Sequence, residues 1–230
     1  MTKLLDGKLI ADTILREVGK ETEKLESDSP APRLALLRVG NKADDLYWEK
    51  HLKKAAADRH IETETFVFPW DIAKDDLLTN IKSICQREDV HGILPFLPFP
   101  LPDYMSWESE IRSLIPAEKD VDCVSLSANA QLYVKGRSPF SPSLAQAVVE
   151  VLKYYEIPLE NTAVAVVEGD SAAGRALSLL LVEEKAVVTI VLAENQDMAA
   201  TLQKNHIVIS TLSKANFLTS EHISENQIVI

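Results

Sequence analysis

Short apolar runs rich in β-branched residues recur along this chain, and helical patterns separate them. The runs are 34-LALLRVG-40, 61-IETETFVFP-69, 90-VHGILP-95, 162-TAVAVVEG-169, 186-AVVTIVL-192, 206-HIVISTL-212 and 227-QIVI-230. Between them, residues 7–25, 45–60, 74–87, 142–154, 172–184 and 195–204 carry helical patterns, with apolar spacing clear at Leu9, Ile10, Ile14, Leu15 and Val18. Strands that alternate with helices call for parallel sheets covered by helices. The alternation pauses after residue 102 and restarts near 138–143. The expectation is an α/β chain of two parallel-sheet lobes, divided at 1–141 and 142–230. The last run ends at Ile230, where a closing helix would be usual, so the second lobe is expected to lack its C-terminal end.

Composition narrows the function. A formal net charge of −11 repels phosphate backbones, which argues against nucleic acid. No apolar run approaches the roughly 20 residues of a membrane helix, so no membrane role is expected. The N-terminus lacks the pattern of a signal peptide. The only two cysteines, Cys85 and Cys123, stand far apart with no His/Cys cluster, so neither a metal site nor a disulfide framework is expected. A cytoplasmic location fits.

The run 90-VHGILPFLPFPLP-102 is unusual, because Pro95, Pro98, Pro100 and Pro102 exclude helix and central strand. Read alone it is a stiff surface loop. Its core, Gly92 to Pro100, resembles the G-I-L-V-Q-L-P-L-P motif of the bifunctional methylenetetrahydrofolate dehydrogenase/methenyltetrahydrofolate cyclohydrolase family. Other segments match that family in order. These are 5-LDGKLIADTI-14 with L-D-G-K-x-I-A, 116-PAEKDVDC-123 with P-x-K-D-V-D-G, 139-PFSPS-143 with P-C-T-P-x-G, and 213-SKANFL-218 with G-K-P-x-F-I. Five collinear matches over nearly the whole chain identify it as resembling this family. The resemblance implies a folate-binding-type lobe over 1–141 and a Rossmann-like, NADP-binding-type lobe over 142–230.

The same resemblance exposes losses. The family motif V-G-x-x-x-A-S-x-x-Y-V-x-x-K-x-K-A falls without gaps on 39–55, anchored at Val39-Gly40 and Lys54-Ala55. The serine is then Asp45, the pterin-stacking tyrosine is Trp48, and the catalytic lysine is Leu52. Only the second, non-catalytic lysine survives, as Lys54. No neighbour substitutes easily: Lys53 lies about 100° round a helix from Leu52 and Lys50 about 160°. Both read as part of a solvated helix face. Shifting the register to align Tyr47 would put His51 at the lysine position, at the expense of both anchors. The family glutamine is Phe96, which cannot make an amide's hydrogen bonds. Asp122 stands at the pterin-binding aspartate, although a plain loop aspartate reads equally well. Pro98 and Pro100 keep the substrate-side motif. Trp48, Phe96 and Phe99 would plug the old pocket, or else suit an aromatic ligand.

On the cofactor side the family loop is G-R-S-x-x-V-G-x-P, a phosphate cradle. Aligned on Gly174-Arg175 it places Glu168, Gly169 and Asp170 at the first glycine, arginine and serine; a one-residue deletion would instead keep Gly169 and Ser171. Glu194 stands where a basic residue helps hold the cofactor phosphate. The sequence therefore reads as a degenerate family member, catalytically silent and with no cofactor expected. Its role would be binding, as a homodimer or as a heteromer with a genuine family enzyme, or with a folate-like or aromatic small molecule. The alternative is an active NADP-dependent enzyme of one-carbon metabolism with a rearranged site using Asp122 and His51.

Overall fold

The structure is a computed structural model that describes residues 3–26, 29–134, 140–168, 173–195 and 197–230. The chain forms an α/β fold of two compact units. One spans Ala11–Phe140; the other joins Ser141–Ile230 with the first ten residues. Those ten residues are tied to the latter unit by Tyr155, whose hydroxyl accepts from the Asp6 backbone N–H at 2.7 Å. Helix α1 (Gly7–Glu26) carries the chain out of this segment.

In the first unit a three-stranded parallel sheet has the order β2-β1-β3, from β1 (Arg33–Val39), β2 (Glu62–Phe68) and β3 (Gly92–Pro95). Arg33 pairs with Glu62 and Val39 with Phe68; Leu34 pairs with Gly92 and Leu37 with Pro95. Pro95 is tolerated because β3 is an edge strand in this sheet. Helices α2 (Ala43–Ala57) and α3 (Lys74–Cys85) make the crossovers. The core gathers Leu37, Leu77, Ile81, Ile93 and Ile111, all fully buried. Two helices that the sequence pattern left unassigned follow β3: α4 (Tyr104–Leu114) and α5 (Leu126–Gln131). Ile111 and Ile115 bury α4, while Ser125 caps α5 by accepting from the Ala128 N–H at 3.1 Å.

In the second unit the parallel sheet has the order β5-β4-β6-β7, from β4 (Ala163–Glu168), β5 (Val187–Leu192), β6 (Ile207–Ser210) and β7 (Ile228–Val229). Val164, Ala165, Val166 and Val167 are all fully buried, as the unbroken apolar run requires of a central strand. Helices α6 (Ser143–Tyr154), α7 (Ala173–Glu183) and the five-residue α8 (Met198–Leu202) accompany the sheet. Among the described residues no helix is long and apolar enough to cross a membrane, and no cluster of His, Cys, Asp and Glu could hold a metal.

Both sheets are built outward from their first strand, one neighbour on each side. The chain therefore reverses direction between β1 and β3, and again between β4 and β6. The carboxyl ends of strands at such reversals are where open α/β sheets bind ligands.

Candidate functional site

At the first reversal, β1 ends in Gly40, whose φ of +62° suits a residue without Cβ. Its N–H donates to the Phe68 carbonyl at 2.8 Å. The chain then enters α2, which carries most of the family motif. Arg38, buried at the end of β1, organises this corner. It donates to the Gly40 carbonyl, to Asn41 Oδ1 at 2.9 Å, and from Nε to Glu49 Oε2 at 2.9 Å. Glu49 also accepts from Thr65 Oγ1 at 2.8 Å and pairs through Oε1 with Lys53 at 2.6 Å. Burial pushes the Glu49 carboxyl up, but the hydrogen bonds from Lys53, Thr65 and Arg38 together outweigh it and hold it below its ordinary value.

That cluster includes one lysine of α2. Lys53 is not part of a freely solvated face, as its helical position suggested, because Glu49 pins it. Lys50 and Lys54 are exposed, and Leu52 is half-buried. His51 is exposed; its Nδ1 lies 2.8 Å from the Tyr47 carbonyl and its ring sits 4.1 Å from the Tyr47 ring. Trp48 is 58% exposed and meets Tyr47 edge-on at 5.7 Å. One residue on this face stands out: Asp45, at the family serine position, is buried, and its Oδ2 has no hydrogen-bond partner among the described residues.

The other strand of this reversal, β3, leads into Phe96, half-buried, whose N–H donates to the Leu37 carbonyl at 2.9 Å. Pro98, joined to Leu97 by a cis peptide, and Pro100 are exposed. Phe99 points the other way. It is 2% exposed, packed in the core with Tyr104 at 6.2 Å, so it plugs no surface pocket. Nor does Trp48, being mostly in solvent, fill one.

Asp122 is half-buried on a loop that other groups hold in place. Asp120, fully buried, accepts from the Val124 and Ser125 N–H groups at 3.0 and 2.6 Å. Cys123, where the family motif has glycine, adopts φ +54°, which is uncommon for a residue with a side chain. Sequence reasoning missed Asp120 as the anchor. Its only sign was its place in the K-D-V-D run.

At the second reversal, Glu168 ends β4 and is 2% exposed. Its Oε1 accepts from Arg175 Nε at 3.2 Å, and its Oε2 has no partner among the described residues. Gly174, in the first turn of α7, packs so closely that a Cβ there would lie 2.7 Å from the Glu168 Cβ and 3.0 Å from Thr211 Oγ1. Thr211, just past β6, donates its N–H to the Val167 carbonyl at 3.0 Å. Glu194 is exposed beyond the end of β5. Gly169, Asp170 and Ser171 lie outside the described residues.

Two family descriptions match this chain: the tetrahydrofolate dehydrogenase/cyclohydrolase catalytic domain over residues 5–122, and the NAD(P)-binding domain of the same family over 142–230. The bifunctional protein FolD of Carboxydothermus hydrogenoformans is 33% identical over 230 residues, which cover the whole of this chain and 79% of that protein. That of Alkaliphilus oremlandii is 34% identical, with 80% of it covered. Among solved structures, the Campylobacter jejuni FolD methylenetetrahydrofolate dehydrogenase/cyclohydrolase superposes with a TM-score of 0.91 at 26% identity, over 99% of this chain and 79% of that one. The Trypanosoma brucei enzyme, complexed with NADP cofactor and an inhibitor, gives 0.89 at 26% identity, over 99% and 77%.

Proposed function

We propose that this chain, which belongs to the tetrahydrofolate dehydrogenase/cyclohydrolase family, is a catalytically silent member that retains the fold for a binding role. The observation that carries this reading is Leu52. In the gapless alignment it stands at the position of the family's catalytic lysine, and no neighbouring lysine shares its place on the helix. Lys53 is held by Glu49, and Lys50 and Lys54 are exposed on α2. A leucine neither donates nor accepts a proton, and general acid–base groups contribute about 10²–10⁴-fold to rate. Phe96 at the glutamine position removes the second polar group. His51 is the group on which the alternative rests: its Nδ1 sits 2.8 Å from the Tyr47 carbonyl, which leaves Nε2 for proton transfer.

The residues of the second unit do not fit the phosphates of NADP. In the gapless alignment a buried carboxylate, Glu168, takes the place of the glycine that lets backbone approach a pyrophosphate; with a one-residue deletion Asp170 takes the arginine's place instead, and in either case Glu194 replaces a cation. Two like charges about 4 Å apart repel by about 4 kcal/mol at an effective dielectric of 20. What remains useful for binding is the exposed Trp48, and Asp122 at the family's pterin-binding position, suited to a folate-like or aromatic molecule. The edge strand β5, with Val187, Ile190 and Leu192 about half exposed, suits pairing with a second copy or with an active relative.

The test supplies purified protein with methylenetetrahydrofolate and either NAD or NADP, and follows methenyltetrahydrofolate by absorbance as it forms and decays. The reading expects neither formation nor accelerated decay. Turnover well above a mock purification would replace it with the rearranged-site enzyme, in which Asp122→Asn abolishes activity and Leu52→Lys changes little.

A further inference from the structure

In an open sheet of this order, a bound dinucleotide sets its pyrophosphate at the carboxyl end of the first strand, against the N-terminus of the following helix. In this chain that place holds a side chain of the protein itself. Glu168 leaves β4 there and is nearly sealed from solvent. The first turn of α7 closes over it: Gly174 leaves no room for a Cβ, and Arg175 donates Nε to Oε1 at 3.2 Å. Thr211 Oγ1, at the end of β6, bounds the same space. An anion is favoured at a helix N-terminus whether it comes from a ligand or from the chain. A carboxylate kept only to brace the lobe would be bonded on both oxygens, whereas Oε2 of Glu168 has no partner among the described residues.

We propose that Glu168 is a built-in substitute for the cofactor's phosphate, occupying the anion position and closing the second unit to dinucleotides. The proposal rests on the reading that NADP is not the ligand of this unit. Glu194 adds a direction. The Ala193 N–H donates to the Glu168 carbonyl at 3.1 Å, which fixes Glu194 one residue further on at the end of the neighbouring strand. A carboxylate at that point matches the ribose diol of NAD and repels the 2′-phosphate of NADP. Once Glu168 is removed, the vacated site selects NAD.

The experiment titrates the full chain and its Glu168→Gly variant with NAD, NADP and inorganic phosphate, by calorimetry and by melting temperature. The wild type binds none of the three and its melting temperature does not move. Glu168→Gly gains NAD affinity of roughly tenfold or more over the wild type. It favours NAD over NADP, and inorganic phosphate raises its melting temperature. Adding Glu194→Arg reverses the preference toward NADP. If Glu168→Gly does not fold, Glu168→Ala vacates the same position. A folded variant with no gain for any of the three probes overturns the substitute and leaves the silent-member reading standing. Wild-type protein that binds NADP with Glu168 in place overturns both.

Discussion

Two buried carboxylates stand near the two chain reversals, and they are satisfied very differently. Glu49, in the first unit, is bonded by Arg38, Lys53 and Thr65, so both oxygens are engaged. Glu168, in the second, has one bond, from an arginine that is 70% exposed, and an oxygen with no partner among the described residues. A buried charge bonded on every side is part of the architecture; one left half-bonded costs free energy wherever it sits. The first fixes α2 onto β1 and β2. The second contributes little to holding its unit together, which is what the proposed role as a substitute for a cofactor phosphate requires.

Unfolding in denaturant puts the contrast to measurement. Glu49→Ala leaves Arg38 buried without its counter-ion and is expected to destabilise the chain by about 3–5 kcal/mol. Glu168→Gln keeps the shape of its side chain and removes the charge. Because it relieves a buried charge with one unbonded oxygen, it is expected to leave stability unchanged or to raise it by about 1–3 kcal/mol. Equal losses at the two sites would erase the distinction drawn between them.

A third carboxylate sharpens the comparison by being exposed. Asp89 pairs with Arg87 at 2.7 Å and also with Arg33, while Arg33 reaches Glu62 at 2.7 Å, so the amino ends of the three strands are laced together. The hydrogen bond from Arg87, with the nearby positive charges, lowers the Asp89 pKa to about 2. Because the folded value lies below the unfolded one, about 3.9, the stabilisation is complete above pH ~4. It is lost as pH falls toward about 2. Asp89→Asn is expected to flatten that part of the stability profile, and added salt is expected to weaken the wild-type effect. A profile unchanged by the substitution would show that the pair contributes nothing.

How much of this could be read from the sequence follows from what burial imposes on it. β4 was legible because a central parallel strand must be apolar on both faces, and Glu168 stood out as the charged residue at its end. The proline run was legible because its φ angles and missing N–H groups exclude regular structure. Helix α4 was not legible, because YMSWESEIRSL buries only one narrow stripe and breaks the alternation. α8 shrank from ten expected residues to five. Arg38 and Glu49 lie eleven residues apart on different elements, so their bond depends on how α2 docks on the sheet. The Lys53–Glu49 pair, by contrast, is an i,i+4 contact within α2 that the sequence spacing offers directly. Phe99 reads as a cleft residue because it lies within the family's substrate-side motif, yet the chain turns its ring into the core.

The central claim is that Leu52 and Phe96 silence the first unit, and hydrolysis of methenyltetrahydrofolate tests it without any dinucleotide. The measurement compares the decay of that substrate in buffer, with wild-type protein, and with the Leu52→Lys/Phe96→Gln double variant. The account predicts that the wild type matches buffer and that the double variant accelerates decay by about 10²-fold or more. Decay accelerated by the wild type, and left unchanged in the double variant, would contradict it.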